Sequence, residues 1–272
     1  MSDEIIVIIS EGERTEKQII ENIESHFFSH EGLKSLTFLS FKTNIYALWR
    51  ALKKDNFDTD IIEVMRERDE EAARILTGIN RRSISEVYLF FDYDGHAHPI
   101  QHEVETIINE MIDNFNNETE NGKIYISYPM VEAIKHLRKN DNTFKDRCIL
   151  AKQNIHYKHL VSQNTDFTNL TILSLSDWNY IMINNIMKAN YMLNGDYQVP
   201  DYDLYRMQIY QSSLLQCQIE KYIKLTKQVA VLSGFPFFLI DYFGKSIYDN
   251  CTTAVPICSD LPVIISNKNI IE

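Results

Sequence analysis

The stretch VYLFFDYDGHAHP, from Val87 to Pro99, ends an apolar run in two aspartates one residue apart, Asp92 and Asp94, with Gly95, His96 and His98 behind them. On an extended chain, side chains two positions apart share a face, so the two carboxylates would stand together. Close like charges are costly unless a proton or cation lies between them. Hard divalent ions are held by carboxylate oxygens, which gives one reading of the pair. The other reading is a turn, in which Asp bonds the local backbone and Gly accepts positive φ. These residues alone leave both open.

Other acids recur at comparable places. Ile5–Ile9 (IIVII) is a buried strand by its continuous apolar character and is followed by Glu11. Thr15 and Gln18 have the spacing of a capping box, and Ile19, Ile20, Ile23 and Phe27 recur at helical spacing, predicting a helix to about residue 29. Leu36–Phe41 is a second strand, Ile45 to about Asn80 a polar helical region with an exposed Glu63–Arg74 portion, and Val87–Phe91 a third strand. Val104–Phe115 is helical, Lys123–Ser127 a fourth strand ended by Tyr128-Pro129, and Val131–Leu137 the start of another helix. Strands alternating with helices imply an α/β fold, a mostly parallel sheet with helices on both faces. The acids Glu11, Asp92, Asp94 and Glu132 then gather at the edge where such sheets carry their binding chemistry, which favours the metal reading.

From Leu173 the composition changes. Trp178–Met192 reads as one helix, Leu204–Leu225 as a longer one, and Val229–Phe243 as a buried helix or helix pair interrupted by Gly234-Phe235-Pro236. The expected division is residues 1–160 as a metal-binding α/β domain and 161–272 as a mainly helical C-terminal region.

With 272 residues, 44% apolar and 24% charged, the chain can bury a sizeable core and is neither fibrous nor of disordered composition. The acidic start, Met1-Ser2-Asp3-Glu4, lacks the marks of a secretory leader, and the longest apolar stretch, Val229–Ile240, is too short to span a bilayer. Cys148, Cys217, Cys251 and Cys258 are scattered without a C-x-x-C pair, as expected of thiols in a reducing cytoplasm. A net charge of −11 argues against coating nucleic acid with the whole surface. A local basic strip remains: from Ala133 to Lys158, seven cations (Lys135, Arg138, Lys139, Lys145, Arg147, Lys152, Lys158) face only Asp141 and Asp146, a net +5. Runs of this kind are most often a solvated surface. Here the strip begins directly after Glu132, where it could track the phosphates flanking a metal site.

Three motifs, in order over about the first 140 residues, resemble Toprim domains of the OLD and RloB-like type. Ser10-Glu11-Gly12-Glu13-Arg14-Thr15-Glu16 is similar to their E-G-x-x-T-E opening, Phe91-Asp92-Tyr93-Asp94 to their D-x-D strand end, and Tyr128-Pro129-Met130-Val131-Glu132 to their N-P-x-x-E segment. The resemblance implies a Toprim-like fold and a metal-dependent nuclease using Mg²⁺ or Mn²⁺. It makes Glu11 a metal ligand or general base, gives Asp92 and Asp94 to one ion, and has Glu16 and Glu132 help hold a second. Gly12 would let the backbone approach a phosphate. OLD-type openings often place their second glutamate four residues after the first, whereas Glu16 stands five after Glu11. Glu11 and Lys135 are the candidate catalytic residues, and Lys135, Lys139, Lys145 and Arg147 the candidate nucleic-acid contacts. Proteins of this kind are commonly encoded with a separate ATPase in phage defence, including the Toprim effectors of PARIS systems. The expected role is therefore a cytoplasmic toxic effector of antiviral, abortive-infection defence, cleaving DNA or RNA, tRNA included. Its expected partners are nucleic acid, an ATPase protein and a second copy in a homodimer, with no membrane.

Two chemical rivals and one functional rival stand beside this reading. His96, His98 and His102 hold the H-x-H half of a zinc site, without a set of further ligands to complete it. D-x-D-G also opens haloacid-dehalogenase phosphatases, but at the first strand, and with Thr or Val where this chain has His96. The third alternative is a non-catalytic sensor or partner subunit that binds metal or nucleotide without cutting.

Overall fold

Runs of isoleucine, valine and aromatic residues form the centre of the molecule because a strand covered on both faces can be apolar at every position. In the computed structural model, which describes residues 4–28, 34–93, 104–140, 142–151, 156–163 and 166–254, these runs are β1 (Ile5–Ser10), β2 (Ser35–Ser40), β3 (Ile84–Asp92) and β5 (Gly122–Ser127). They pair in parallel in the order β2-β1-β3-β5, and the two-residue β4 (Asn116–Asn117) adds an antiparallel edge. The fold is thus α/β with a mostly parallel five-stranded sheet. Asp94, the three histidines of 96–102, Lys152 and Cys258 lie outside the described residues.

The connections decide where a ligand can sit. From β1 the chain passes through α1 (Arg14–Phe27) to β2 on one side, then returns through α2 (Ile45–Leu52), α3 (Ile61–Arg68) and α4 (Glu70–Ile75) to β3 on the other side of β1. From β3 it reaches β5 through α5 (Val104–Asn114). Right-handed crossovers of opposite direction put α1 on one face of the sheet and α2 and α5 on the other. The strand order reverses between β1 and β3, and ligands of open α/β sheets bind at such switch points, beyond the carboxyl ends of the strands. Glu11 and Asp92 stand at those two ends.

Several local expectations are corrected. Helix α1 starts two residues earlier than the Thr15–Gln18 spacing predicts, and Glu13, its N-cap, makes no side-chain cap bond. Thr15 Oγ1 instead donates across the fold to Glu132 Oε1 at 3.4 Å. The Glu63–Arg74 portion is not a solvated face throughout, since Val64, Met65 and Ala72 are buried. Val131–His136 is a 3-10 turn, not an α-helix, so Lys135 and Lys139 do not share a helical face.

The C-terminal part packs on the same core. Helix α6 (Tyr157–Ser162) follows the strand β6 (Cys148–Leu150), and α7 (Leu175–Asn194) opens on a Ser174/Asp177 capping box and ends at Gly195, φ +77°. The expected Leu204–Leu225 helix is divided at Ile209-Tyr210 into α8 (Tyr202–Gln208) and α9 (Gln211–Cys217), the latter running on through a π-helical turn, Gln218–Ile223, into α10 (Lys224–Thr226). The Val229–Phe243 block is not a helix pair. Gln228–Ala230 is β7, antiparallel to β6, and Gly234 is the N-cap of α11 (Phe235–Phe243), with Pro236 in the first turn where its missing N–H costs nothing. A final helix, α12 (Lys245–Ala254), follows.

Helix α11 lies on the α1 face of the sheet. Phe90 of β3 stacks on Phe235 with ring centroids 4.3 Å apart and planes 6° from parallel, and Phe28, which caps α1, packs on Tyr242 and Phe243. Phe91, the next residue, points the other way and meets Phe41. Phe235→Ala is therefore expected to destabilise the chain by about 3–5 kcal/mol, the usual cost of emptying a buried aromatic site. Urea unfolding should show a lower midpoint with an unchanged slope. A two-step curve would instead mean that the helical part unfolds separately from the sheet.

Candidate functional site

The sheet crest is assembled by backbone bonds that continue past the strands. Glu11 N–H donates to Phe90 O at 2.9 Å, extending the β1–β3 pairing by one residue, and Tyr93 N–H donates to Ser127 O at 3.0 Å. These bonds fix the ends of β1, β3 and β5 side by side. Glu11 Oε2 accepts the Asp92 N–H at 3.2 Å, and Asp92 Oδ1 accepts the Val131 N–H at 2.8 Å. Asp92 thus ties the turn that carries Glu132 to the strand ends. Glu132 is buried, 4% exposed, and one of its oxygens, Oε2, has no hydrogen-bond partner among the described residues.

Glu16 joins them from the first turn of α1. It is 5% exposed, and its Oε1 accepts the Gly12 N–H at 2.9 Å. A β-carbon at position 12 would lie 2.7 Å from that oxygen, so Gly12 is needed for the close approach of the Glu16 carboxylate. This differs from the role expected for Gly12: its N–H is given to Glu16, not turned to a phosphate.

Electrostatics bind the four acids into one unit. Burial pushes Asp92 well above the usual carboxylate range, and the charges of Glu11, Glu16 and Glu132 push it further. Burial also raises Glu16; its backbone bonds and Lys158 oppose the rise, and Glu132 adds to it. Lys158 of α6 stands with its Nζ 3.5 Å from Glu132 Oε1. Burial pulls its pKa down, but Glu132 and Asp92 outweigh that and hold it above the usual lysine value. The sequence offers no signal that marks Lys158 off from the rest of the basic strip.

The structure brings Glu11, Glu16, Asp92 and Glu132 together. Lys135, half-buried, stands three residues after Glu132 in the 3-10 turn, where positions three apart stack. The other basic candidates are held within the scaffold. Lys139 pairs with Asp177 at 2.6 Å and lies over the Phe167 ring, and Lys145 lies over the Tyr191 ring. Arg147 donates to His136 O at 2.6 Å and to Thr143 Oγ1 at 3.0 Å.

As a donor set the acids suit a hard divalent cation. The unpartnered Glu132 oxygen and the charge crowding at Asp92 are what such an ion would relieve. Glu11, Asp92 and Glu132 would hold it, with Glu16 behind them. Among the described residues no three of these side chains form a group already placed to hold a metal ion. Comparison with protein-family profiles, curated proteins and solved structures gave no match.

A raised carboxylate pKa in the folded state means that the fold binds a proton more tightly than the unfolded chain does. Its stabilising contribution is present below the ordinary aspartate value of 3.8 and is lost as pH rises through the folded value. Asp92→Asn keeps the acceptor for Val131 N–H and removes the charge. At pH 7 without divalent ions it is expected to raise Tm, because it removes a charge that burial and three neighbouring carboxylates oppose. The gain should vanish on acidification toward the ordinary value. Calorimetric scans across pH check this, and an equal gain at every pH would remove the electrostatic cause.

Proposed function

We propose that this chain is a metal-dependent nuclease of Toprim type that hydrolyses phosphodiester bonds in DNA or RNA. The observation that carries the reading is the meeting of Glu11, Glu16, Asp92 and Glu132, acids from three separate segments of the chain, at the strand ends where the strand order reverses. Turn chemistry does not require acids from distant loops to converge, and a phosphoryl-transfer site does. The three sequence motifs that resemble Toprim domains supply these same acids, in the same order along the chain.

A divalent ion held there would make water a nucleophile at neutral pH and neutralise the leaving oxygen. The residues of the chain do the rest. Glu11 is partly open at the crest, and its Oε2 is aligned by the Asp92 N–H, which places it to take a proton from the attacking water. Asp92 and Glu132 would hold the ion, whose charge would then orient the reacting phosphate. Thr15, donating to Glu132, sets the rotamer of that carboxylate. Lys135, beside Glu132 on the same turn, is the cation nearest in sequence to the developing charge. A role as a defence effector restrained by an ATPase partner, with tRNA as one substrate, rests on the motif resemblance.

One observation favours a second reading. Among the described residues no ligand cluster is already closed, as would suit a subunit that senses metal or nucleotide without cutting. The experiment that separates them is cleavage of single- and double-stranded DNA and of RNA, tRNA included, with Mg²⁺ and Mn²⁺. Glu11→Gln keeps the acceptor for Asp92 N–H and should leave the fold intact while cleavage falls by ~10²–10⁴. Wild-type cleavage by this variant would sink the assignment of Glu11. No cleavage by the wild-type chain in any condition would favour the sensor.

A further inference from the structure

We infer that Lys158 is a resident counter-cation that occupies the carboxylate cluster and competes with divalent metal for Glu132, so that it sets the ion concentration at which the site loads. The inference rests on the metal-site reading above and adds a regulating residue to it.

The placement of Lys158 is the first ground. Its Nζ lies 3.5 Å from Glu132 Oε1, the oxygen that also receives Thr15 Oγ1. Its charge acts on Asp92 and Glu16 as well, so it serves the cluster and not one partner. The second ground is the looseness of the contact. Charge-assisted N–H···O bonds run at about 2.7–2.9 Å, so 3.5 Å is attraction without a well-formed bond. The side chain is 71% exposed and can leave for water at little cost. The third ground is that its helix does not depend on the pair. Tyr157, buried next to it, anchors α6 by standing 3.0 Å from His136 Nδ1 through its hydroxyl.

A single positive charge at a rim cannot satisfy four carboxylates, and the Glu132 oxygen left without a partner is the visible remainder. A doubly charged ion settling among the same oxygens would do so better, and would repel the ammonium as it did. Binding of the two cations is therefore mutually exclusive or strongly opposed, and the opposition is reciprocal by linkage. At low divalent-ion concentration the chain rests in a lysine-neutralised form.

The test uses the full chain and Mn²⁺ alone, titrated by calorimetry at neutral pH. Lys158→Met, which keeps the aliphatic length and removes the charge, should tighten Mn²⁺ binding on the order of tenfold, from the lost repulsion between a single and a double charge a few ångströms apart. Lys158→Arg should stay near wild type, and Glu132→Gln should weaken binding. In parallel, acylation of Lys158, read by mass spectrometry, should speed up in wild type when Mn²⁺ is added. Mn²⁺ binding that Glu132→Gln weakens, but that Lys158→Met leaves unchanged or weaker, overturns the inference and leaves the metal site standing. Absence of Mn²⁺ binding in wild type and in Lys158→Met alike overturns the metal site and the inference together.

Discussion

The constraint on which the molecule turns is the crowding of negative charge at the carboxyl edge of the sheet. Strands apolar on both faces leave their ends as the place where polar side chains can collect, and here β1, β3 and the turn after β5 each deliver an acid. Two like charges about 4 Å apart repel by about 4 kcal/mol at an effective dielectric of about 20. A hydrogen bond to a charged group returns about 1.5–3 kcal/mol. The chain supplies such bonds from Gly12, Asp92 and Val131 amides and from the Thr15 hydroxyl. They soften the repulsion without cancelling it, as the raised Asp92 and Glu16 record. The remainder calls for a proton or a cation. A scaffold that tolerates this cost must recover it elsewhere, and the continuous core running from Ile6 to Cys251 is where it does so.

What the sequence made legible follows the range of the interactions. Continuous apolar runs mark buried strands by short-range pattern, so β1, β3 and β5 were readable to within a few residues, and with them the positions of Glu11, Asp92 and Glu132. Features set by contacts between distant residues were not. Thr15 has the spacing of a local cap, yet its partner lies 117 residues away. Gly12 suggests an open phosphate cradle, and only the fold brings Glu16 into that space. The same limit applies to the basic strip: charge is visible in the sequence, but the engagement of Lys139 by Asp177 and of Arg147 by the His136 carbonyl is not. The Val229–Phe243 block misled for a different reason. Short apolar segments do not distinguish strand from helix by periodicity, and β7 forms because β6 offers it an edge.

The helical half carries no acid of the cluster, yet it holds the cluster's parts in place. Lys188 of α7 is fully buried over the Phe144 ring, and burial pulls its pKa down to about 7. Its Nζ donates to Arg147 O at 2.6 Å, while the Arg147 guanidinium donates to His136 O at the end of the Glu132 turn. His136 in turn meets Tyr157, the first residue of the helix that bears Lys158. One line of bonds therefore runs from α7 to both the buried glutamate and the lysine that faces it. A second line runs through Asn185, which accepts Ser233 N–H, and through Ser127 Oγ, which accepts Gly234 N–H where α11 begins. Tyr128 and Leu232 exchange backbone bonds between these points, so the end of β5 is clamped by residues more than a hundred positions downstream. Carboxylates that repel one another would spread if their strand ends could move. The downstream helices resist that spreading, which makes them part of the site's mechanics, and α6 also brings Lys158 to Glu132.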